Sequence, residues 1–172
     1  MRTKSEIHPF GDFVPPGSKY LLLGSFPARE NGGWFYGSKR NQFWQILENV
    51  YRVKLNTKKE KQKLLSGLGV AVADIVYKCD RKKGSSLDFN LTNIVYNNRG
   101  IEKILRRRKI QKIFFTSHFV EMRFQKQFKN VVERFQRTEL VTLPSPSPRY
   151  AAMAKAEKIK RYKAILPIFD NF

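Results

Sequence analysis

Short apolar runs alternate along the chain with segments whose apolar residues recur every three or four positions. The runs are typical of buried strands, and the spacing of three and four is typical of helices. The predicted strands lie at Lys19–Ser25, Val70–Tyr77, Ile110–Thr116 and Glu139–Leu143. One predicted helix begins at Asn41, and a second follows from the basic stretch Lys54–Lys63 and ends near Gly67. Three more are predicted over Gly100–Arg108, Phe119–Phe128 and Ala151–Leu166. Because strands alternate with helices, we expect an α/β fold, a mostly parallel sheet with helices on both faces.

The length of the sequence and the absence of an internal boundary in it predict one domain. The chain has 172 residues, and no internal repeat or low-complexity linker divides it. We therefore predict a single domain over residues 1–172. The polar, turn-rich segment Arg81–Asn98 is predicted to be an ordered surface loop. Asn41 is the predicted N-cap of the helix that carries Phe43 and Trp44.

Positive charge dominates the composition. Lysine and arginine total 34 against 14 aspartate and glutamate residues, which gives a formal net charge of +20. A field of that sign attracts polyanions, so nucleic acid is the first partner to consider. The alternative is that the cations are spread over solvated helix faces and mainly aid solubility. Charge by itself separates neither DNA from RNA nor a binding protein from an enzyme.

Membrane, secreted and metal-dependent proteins fit the sequence poorly. No apolar run approaches the ~20 residues of a membrane span, and Met1–Phe10 lacks the apolar core of a signal peptide. Cys79 is the single cysteine, so it forms neither an internal disulfide nor a cysteine-rich zinc site, and we expect a half-buried small hydrophobe. His8 and His118 are not at metal-ligand spacing, and no glycine-rich phosphate motif occurs. We therefore expect a cytoplasmic or nucleoid-associated protein without metal or cofactor.

Two unusual loops, Gly24–Asn41 and Pro144–Arg149, follow predicted strands. Ligands of parallel α/β sheets bind at the carboxyl ends of the strands, so we expect the two loops to meet there. The first combines backbone N–H groups, aromatic rings, the cations Lys39 and Arg40 and a terminal amide, a set that suits a nucleobase. The second offers serine hydroxyls in a proline-rich segment with Arg149 at its tip, which suits phosphate groups. The alternatives are that the aromatic residues belong to the core and that the second loop is an ordinary turn.

Several segments together resemble the motifs of a known enzyme family. They are Ile7–Phe10, LLLGSFP at Leu21–Pro27, FYGSKRNQFWQIL at Phe35–Leu47, and then GVAVADIV, CDRKKGSSLD, IFFTS and LPSPSP in that order. The combination covers nearly the whole chain and resembles the uracil-DNA glycosylase superfamily, most closely its hypoxanthine-DNA (deoxyinosine) glycosylase branch. The resemblance implies a three-layer α/β/α fold. It also implies an enzyme that flips a deaminated base, uracil or hypoxanthine, out of duplex DNA and hydrolyses its N-glycosidic bond.

The resemblance implies roles for individual residues. Asn41 would be catalytic, positioning water or polarising the reacting centre, while Phe43 would stack on the flipped base. The residues implied to bind the base are Gly24, Ser25, Phe26, Tyr36, Phe43, Thr116 and Ser117. The residues implied to hold DNA are Lys39, Arg40, Ser145, Ser147 and Arg149. We expect a monomer that acts on duplex DNA in base excision repair.

The chain departs from the family pattern at positions that bear on activity. No acidic residue follows Gly24-Ser25, where stronger relatives carry an aspartate general base, so we expect a rate about 10²–10³-fold below theirs. Thr116-Ser117 stands where the family has Asn-Gly, and Ser38-Lys39 where it has His-Pro. The alternative function is a catalytically weak or inactive glycosylase-fold protein that binds nucleic acid. A basic RNA-binding protein is a third possibility, which rests on charge alone.

Overall fold

The structure is a computed structural model that describes residues 4–82, 85, 88–107 and 109–168. Within these residues the chain forms seven strands and six helices. In chain order they are β1 (Lys4–Ile7), β2 (Tyr20–Gly24), α1 (Phe43–Tyr51), α2 (Lys58–Leu68), β3 (Val70–Asp74), β4 (Val76–Arg81), β5 (Leu91–Tyr96), α3 (Asn98–Arg107), β6 (Lys112–Phe115), α4 (His118–Gln127), α5 (Lys129–Arg134), β7 (Glu139–Thr142) and α6 (Lys155–Ile165). A short 3₁₀ turn, Asp88–Asn90, precedes β5. None of the described helices is long and apolar enough to cross a membrane.

A four-stranded parallel sheet in the order β3-β2-β6-β7 forms the centre of the fold. Successive side chains of a strand point to opposite faces of the sheet. Leu21 and Leu23 of β2 therefore pack in a cluster with α3, α4 and α5, whereas Leu22 packs in a cluster with α1, α2 and α6. Helices cover both faces, and the predicted three-layer α/β/α fold is confirmed. The strands predicted at Lys19–Ser25, Ile110–Thr116 and Glu139–Leu143 are confirmed as β2, β6 and β7.

The predicted strand Val70–Tyr77 is instead two strands that belong to different sheets. β3 ends at Asp74 in the parallel sheet, and after Ile75 the chain enters β4. β4 pairs antiparallel with β1 and β5 in a second, three-stranded sheet. The apolar run does not reveal this break because Ile75 and Val76, on either side of the change of sheet, are both fully buried.

The predicted surface loop Arg81–Asn98 is wrong where it includes β5. This strand pairs with β4 through its backbone, while most of its side chains are exposed or only partly buried. Its pairing is irregular, and Asn93 adopts a φ of +47°, so neither composition nor alternation marks it as a strand. Residues 83–84 and 86–87 of the predicted loop lie outside the described residues.

Local capping groups set the ends of α2. The Thr57 hydroxyl accepts a hydrogen bond from the Glu60 N–H, and the Glu60 carboxylate accepts one from the Thr57 N–H, which is a capping box. The helix ends before Gly69, whose φ of +67° is the left-handed conformation that favours glycine. It therefore runs one residue beyond Gly67, near which the sequence predicted its end.

The helix predicted from Asn41 begins two residues later, at Phe43, and its N-cap position is Gln42. The N-cap prediction is therefore wrong, because the Asn41 side chain caps from one residue further back. Residues 151–154 are not helical, so α6 begins later than predicted, and α5 was not predicted. The helix predicted over Gly100–Arg108 is α3, which begins at Asn98, and Arg108 lies outside the described residues.

Candidate active site

A pocket opens at the carboxyl edge of the parallel sheet, where the loops after β2, β6 and β7 come together. Its cavity volume is about 140 Å³. The loop after β2 contributes residues 25–28 and 35–38, the loop after β6 contributes Thr116 and Ser117, and the loop after β7 contributes residues 145–147. This is the edge at which parallel α/β sheets bind ligands.

Hydrogen bonds join the loop after β2 to the loop after β7. The Gln42 N–H donates to the Pro146 carbonyl at 2.9 Å. Lys158 of α6 is only 1% exposed, and its ammonium group donates to Gln42 Oε1 at 3.2 Å and to the Ser147 carbonyl at 3.1 Å. The prediction that the two loops meet is confirmed, and a buried lysine holds them together.

Gly24 allows two polar side chains to approach the end of β2. A Cβ atom at this position would lie 2.4 Å from Asp74 Oδ1 and 2.7 Å from the Tyr36 hydroxyl, which is too close for either group. Tyr36 has a φ of +56°, a conformation that side-chain-bearing residues rarely adopt. Burial raises the pKa of Tyr36 well above its usual value of 10. Its hydroxyl is therefore a neutral group beside the pocket.

The Asn41 side chain lines the pocket in a fixed orientation. Its oxygen Oδ1 accepts a hydrogen bond from the Phe43 N–H at 2.9 Å. Because only the nitrogen of an amide donates, this bond assigns the two ends of the side chain and leaves the NH₂ group as its donor end. An amide does not titrate near neutral pH, so Asn41 can hold or polarise a ligand but cannot take up a proton.

A histidine–carboxylate pair, missed in the sequence, stands behind the pocket. His8 Nε2 lies 2.8 Å from Asp74 Oδ2, and both side chains are almost fully buried. The Phe10 N–H donates to His8 Nδ1 at 3.3 Å, so Nδ1 accepts and Nε2 carries the proton that it shares with Asp74. Asn97 donates to the Asp74 carbonyl at 3.2 Å. The one available signal was a carboxylate at the end of the apolar run VAVAD, the edge where ligands bind.

Asp88, in the 3₁₀ turn before β5, is the second carboxylate of the pocket. Burial is the main cause that raises its pKa, to about 6, and the neighbouring charge of Asp74 adds to it. Arg81, the Ser25 hydroxyl and Arg123 oppose this increase. Asp88 was missed because it lies in a polar segment that resembles a surface loop, and no local pattern links it to the pocket.

Most of the predicted site residues line the pocket. They are Ser25, Phe26, Tyr36, Asn41, Thr116, Ser117, Ser145 and Ser147. Three predicted DNA-binding cations, Lys39, Arg40 and Arg149, do not line it but are exposed on the same two loops, and we call them the cationic rim. Gly24 also lies outside the lining, where it makes room for Asp74.

Phe43 is placed differently from the position that the resemblance implies. It is 1% exposed and packs in the core, with ring centroids 4.4 Å from Tyr36 and 5.0 Å from Trp44. The physical reason is that Phe43 opens α1 and joins the apolar face by which this helix covers the sheet. The aromatic rings that line the pocket are those of Phe26, Phe35 and Tyr36.

Thr116 and Ser117 connect β6 to α4. The Ser117 hydroxyl accepts a hydrogen bond from the Val120 N–H at 3.3 Å and so caps α4. The Thr116 N–H donates to the Leu23 carbonyl at 3.0 Å, which continues the sheet, while the Thr116 hydroxyl lies close to that of Tyr36. Both residues therefore have structural partners as well as positions in the pocket.

The site combines a fixed amide, hydroxyl groups, two carboxylates and aromatic walls. Among the described residues, no group of three or more His, Cys, Asp or Glu side chains could hold a metal ion. Such a pocket can accept a flat polar ring, and the basic loops beside it can accept phosphates. The fold and the site thus define an α/β protein with a nucleobase-sized pocket at the carboxyl edge of its sheet.

Comparison with known proteins gives the family. The family model described as the Uracil DNA glycosylase superfamily matches residues 11–169, and the chain belongs to this superfamily. None of the curated proteins matches the chain. Among 14 matching chains of solved structures is the solution NMR structure of a candidate uracil DNA glycosylase from Methanosarcina acetivorans. It is 20% identical with a TM-score of 0.70, and the match covers 91% of this chain and 93% of that one. The predicted superfamily is confirmed, whereas the hypoxanthine branch stays a prediction.

Proposed function

We propose that this protein is a monofunctional DNA glycosylase that excises a deaminated base, uracil or hypoxanthine, in base excision repair. The observation that carries the proposal is the fixed amide of Asn41 in a nucleobase-sized pocket, in a chain of this superfamily. The net charge of +20 supports DNA as the partner. We further propose that the protein acts as a monomer, in the cytoplasm or at the nucleoid.

Entry into the pocket requires the base to leave the duplex stack. Flipping costs a few kcal/mol and costs least for a mispaired base, so uracil opposite guanine and hypoxanthine opposite thymine would enter most readily. In this proposal the cationic rim attracts the phosphates, and Ser145 and Ser147 hold the backbone beside the flipped nucleotide. The aromatic contact to the base comes from Phe26, Phe35 or Tyr36, because Phe43 is a core residue.

Cleavage of the N-glycosidic bond leaves the electron pair on the base and positive charge on the sugar. The departing base is then best stabilised by donors that are already in position. We assign this task to the NH₂ group of Asn41 and to the backbone N–H groups of Ser25 and Phe26. Thr116 and Ser117 each contribute one hydroxyl to the base edge, in place of the paired donor and acceptor of an amide.

The test is cleavage of end-labelled duplexes that each carry one uracil or one hypoxanthine opposite each normal base, with an undamaged duplex as control. Alkali converts the abasic product to a strand break. We expect cleavage of at least one lesion duplex and none of the control. No cleavage of any duplex by folded protein would refute the proposal.

The alternative is a protein of this fold that binds DNA without cutting it. The observation that favours it concerns the pair Thr116-Ser117. Thr116 stands where the family has the asparagine that reads the base edge, and its hydroxyl lies close to that of Tyr36, while the hydroxyl of Ser117 caps α4. Tight binding to lesion duplexes without any release of base would support this alternative. Tighter binding to structured RNA than to lesion DNA would instead favour an RNA-binding protein.

A further inference from the structure

Hydrolysis of an N-glycosidic bond needs a group that takes up the proton of the attacking water. Of the residues that line the described pocket, only Tyr36, Asp74 and Asp88 carry ionisable side chains. The amide of Asn41 does not serve, because it is not basic at neutral pH. Tyr36 does not serve either, since burial keeps its hydroxyl protonated and a protonated hydroxyl is no base.

Asp74 is already engaged by its surroundings. Its Oδ2 atom is bound to His8 Nε2 at 2.8 Å, and its backbone carbonyl accepts a hydrogen bond from Asn97. The residue is only 4% exposed, behind the close approach at Gly24. Its environment suits a fixed acceptor at the back of the pocket, which leaves Asp88 as the carboxylate that can exchange a proton.

Asp88 lies beside Ser25, the second residue of the GSFP segment. Ser25 is 7% exposed, and its hydroxyl has no hydrogen-bond partner with acceptable geometry among the described residues. The hydroxyl nevertheless lies close enough to Asp88 to lower the pKa of that carboxyl. A buried polar group of this kind is costly unless a ligand or a water molecule completes it. A water molecule held by Ser25 would therefore stand next to the carboxylate of Asp88.

Charged groups face Asp88 from three elements: Asp74 of β3, Arg81 of β4 and Arg123 of α4. Arg81 is 2% exposed, and its guanidinium group donates to the Pro27 carbonyl at 2.6 Å. It also lies over the ring of Phe26 at 5.2 Å from the centroid. One buried arginine therefore anchors the GSFP loop and tunes the carboxylate beside it.

We propose that Asp88 is the proton acceptor of the reaction, and that the turn before β5 supplies the carboxylate that the loop after β2 lacks. This inference rests on the glycosylase function proposed above. The oxygen of water bonds to C1′ of the sugar as the C1′–N bond breaks and its electron pair leaves with the base. The water proton passes to the Asp88 carboxylate and then to the departing base nitrogen. The products are a free base and an abasic site, and the carboxylate is restored.

The raised pKa of Asp88, about 6, sets the direction of the pH dependence. A general base acts in its ionised form, so the rate should rise as pH increases through about 6 and level off above it. Asp74, Arg81 and Arg123 are left unmutated in the variants of Asp88, so we expect a change in this limb of the profile to report on Asp88.

The experiment measures single-turnover cleavage between pH 5 and 9 for the wild type, Asp88→Asn and Asp88→Glu. The matched control is Asp80→Asn, a carboxylate of β4 outside the pocket that accepts a hydrogen bond from Asn93. We expect Asp88→Asn to lower the rate at pH 8 by about 10²-fold or more and to abolish the limb near pH 6. Asp88→Glu should retain the limb with partial activity, and Asp80→Asn should match the wild type. A rate for Asp88→Asn within threefold of wild type at every pH overturns the assignment.

A second measurement does not depend on turnover. Duplexes carrying a protonated pyrrolidine abasic analogue imitate the positive charge of the reacting sugar, and a neutral tetrahydrofuran analogue provides the comparison. We expect the wild type to prefer the charged analogue at least tenfold at pH 7.5 and Asp88→Asn to lose that preference. Retention of the preference by folded Asp88→Asn contradicts the assignment even if no duplex is cleaved. If Asp88→Asn loses the preference but the wild type cleaves no duplex, the proposed glycosylase function is refuted, while the position of Asp88 beside the sugar is supported.

Discussion

Gly24→Ala tests whether close packing at the end of β2 positions the polar groups of the pocket. The added Cβ would lie 2.4 Å from Asp74 Oδ1 and 2.7 Å from the Tyr36 hydroxyl, where ordinary contact begins at 3.4 Å. To reach ordinary contact, the Asp74 carboxylate must therefore move by about 1 Å and the Tyr36 hydroxyl by about 0.7 Å. Because the interior is closely packed, neighbouring groups resist both movements. Asp74 cannot move freely, because His8 binds its side chain and Asn97 binds its carbonyl.

These contact distances set the expected loss of stability and the expected loss of cleavage rate. Overpacking costs about 1–3 kcal/mol, and the loss of glycine freedom in the unfolded chain returns about 0.4–1 kcal/mol. We therefore expect Gly24→Ala to lower the free energy of unfolding by about 1–2 kcal/mol. For a chain of this size that corresponds to a Tm about 2–8 °C lower. A displacement of about 1 Å at the pocket should reduce single-turnover cleavage about 10²-fold, while DNA affinity stays within a few fold because the cationic rim does not move.

The assays are urea denaturation, single-turnover cleavage and binding to an abasic-analogue duplex. Gly67→Ala is the matched control, since Gly67 is exposed inside α2. It should raise the stability by about 0.5–1 kcal/mol and leave cleavage unchanged. A Gly24→Ala protein as stable and as active as the wild type would show that the Asp74 carboxylate and the Tyr36 hydroxyl move aside without loss of free energy. The reasoning from contact distances would then be refuted.

Three further variants separate catalysis, loop packing and remote stability. Asn41→Ala should lower single-turnover cleavage about 10²–10³-fold with DNA affinity within a few fold, because charge supplies most of the binding; a wild-type rate would remove Asn41 from the mechanism. Lys158→Met leaves the Ser147 carbonyl and Gln42 Oε1 without their donor, so the free energy of unfolding measured in urea should fall by about 1–3 kcal/mol; an unchanged urea midpoint would argue against Lys158 as the bridge. Thr57→Ala removes the capping box of α2 and should cost about 0.5–2 kcal/mol without any effect on cleavage, which the same two assays check.

The parts of the fold that could be predicted are those in which local pattern and tertiary position agree. β2 and β6 are short apolar runs because a central parallel strand is covered on both faces. The meeting of the loops Gly24–Asn41 and Pro144–Arg149 follows from the same rule, since parallel strands end at one edge. In the structure the hydrogen bond from Gln42 to Pro146 joins them.

The errors fall where pairing partners, rather than composition, decide the structure. Nothing in VAVADIVY marks Ile75 as the point where the chain leaves one sheet for another, because residues on both sides of it are buried. β5 needs no apolar alternation, since it is held at the edge of the sheet by backbone pairing with β4, while most of its side chains are exposed or only partly buried. Phe43 shows the same limit within the site, because a ring at the start of a helix can face the pocket or the core and only tertiary packing decides between them.

The candidate site divides into groups that a motif can reveal and groups that it cannot. Asn41 and Ser25 lie in contiguous segments whose spacing is set by the turns of one loop, so the sequence carries their relation directly. Asp88 acquires its raised pKa from burial and from the neighbouring charge of Asp74 on β3, against the opposing charges of Arg81 and Arg123, and none of these causes can be read from the residues next to it in the chain. A proton acceptor created in this way leaves no local pattern, and a search confined to the GSFP loop would conclude that the acid–base group is missing. If Asp88→Asn abolishes the limb of the pH profile near 6, a carboxylate from a different element has taken over the role that stronger relatives assign to that loop.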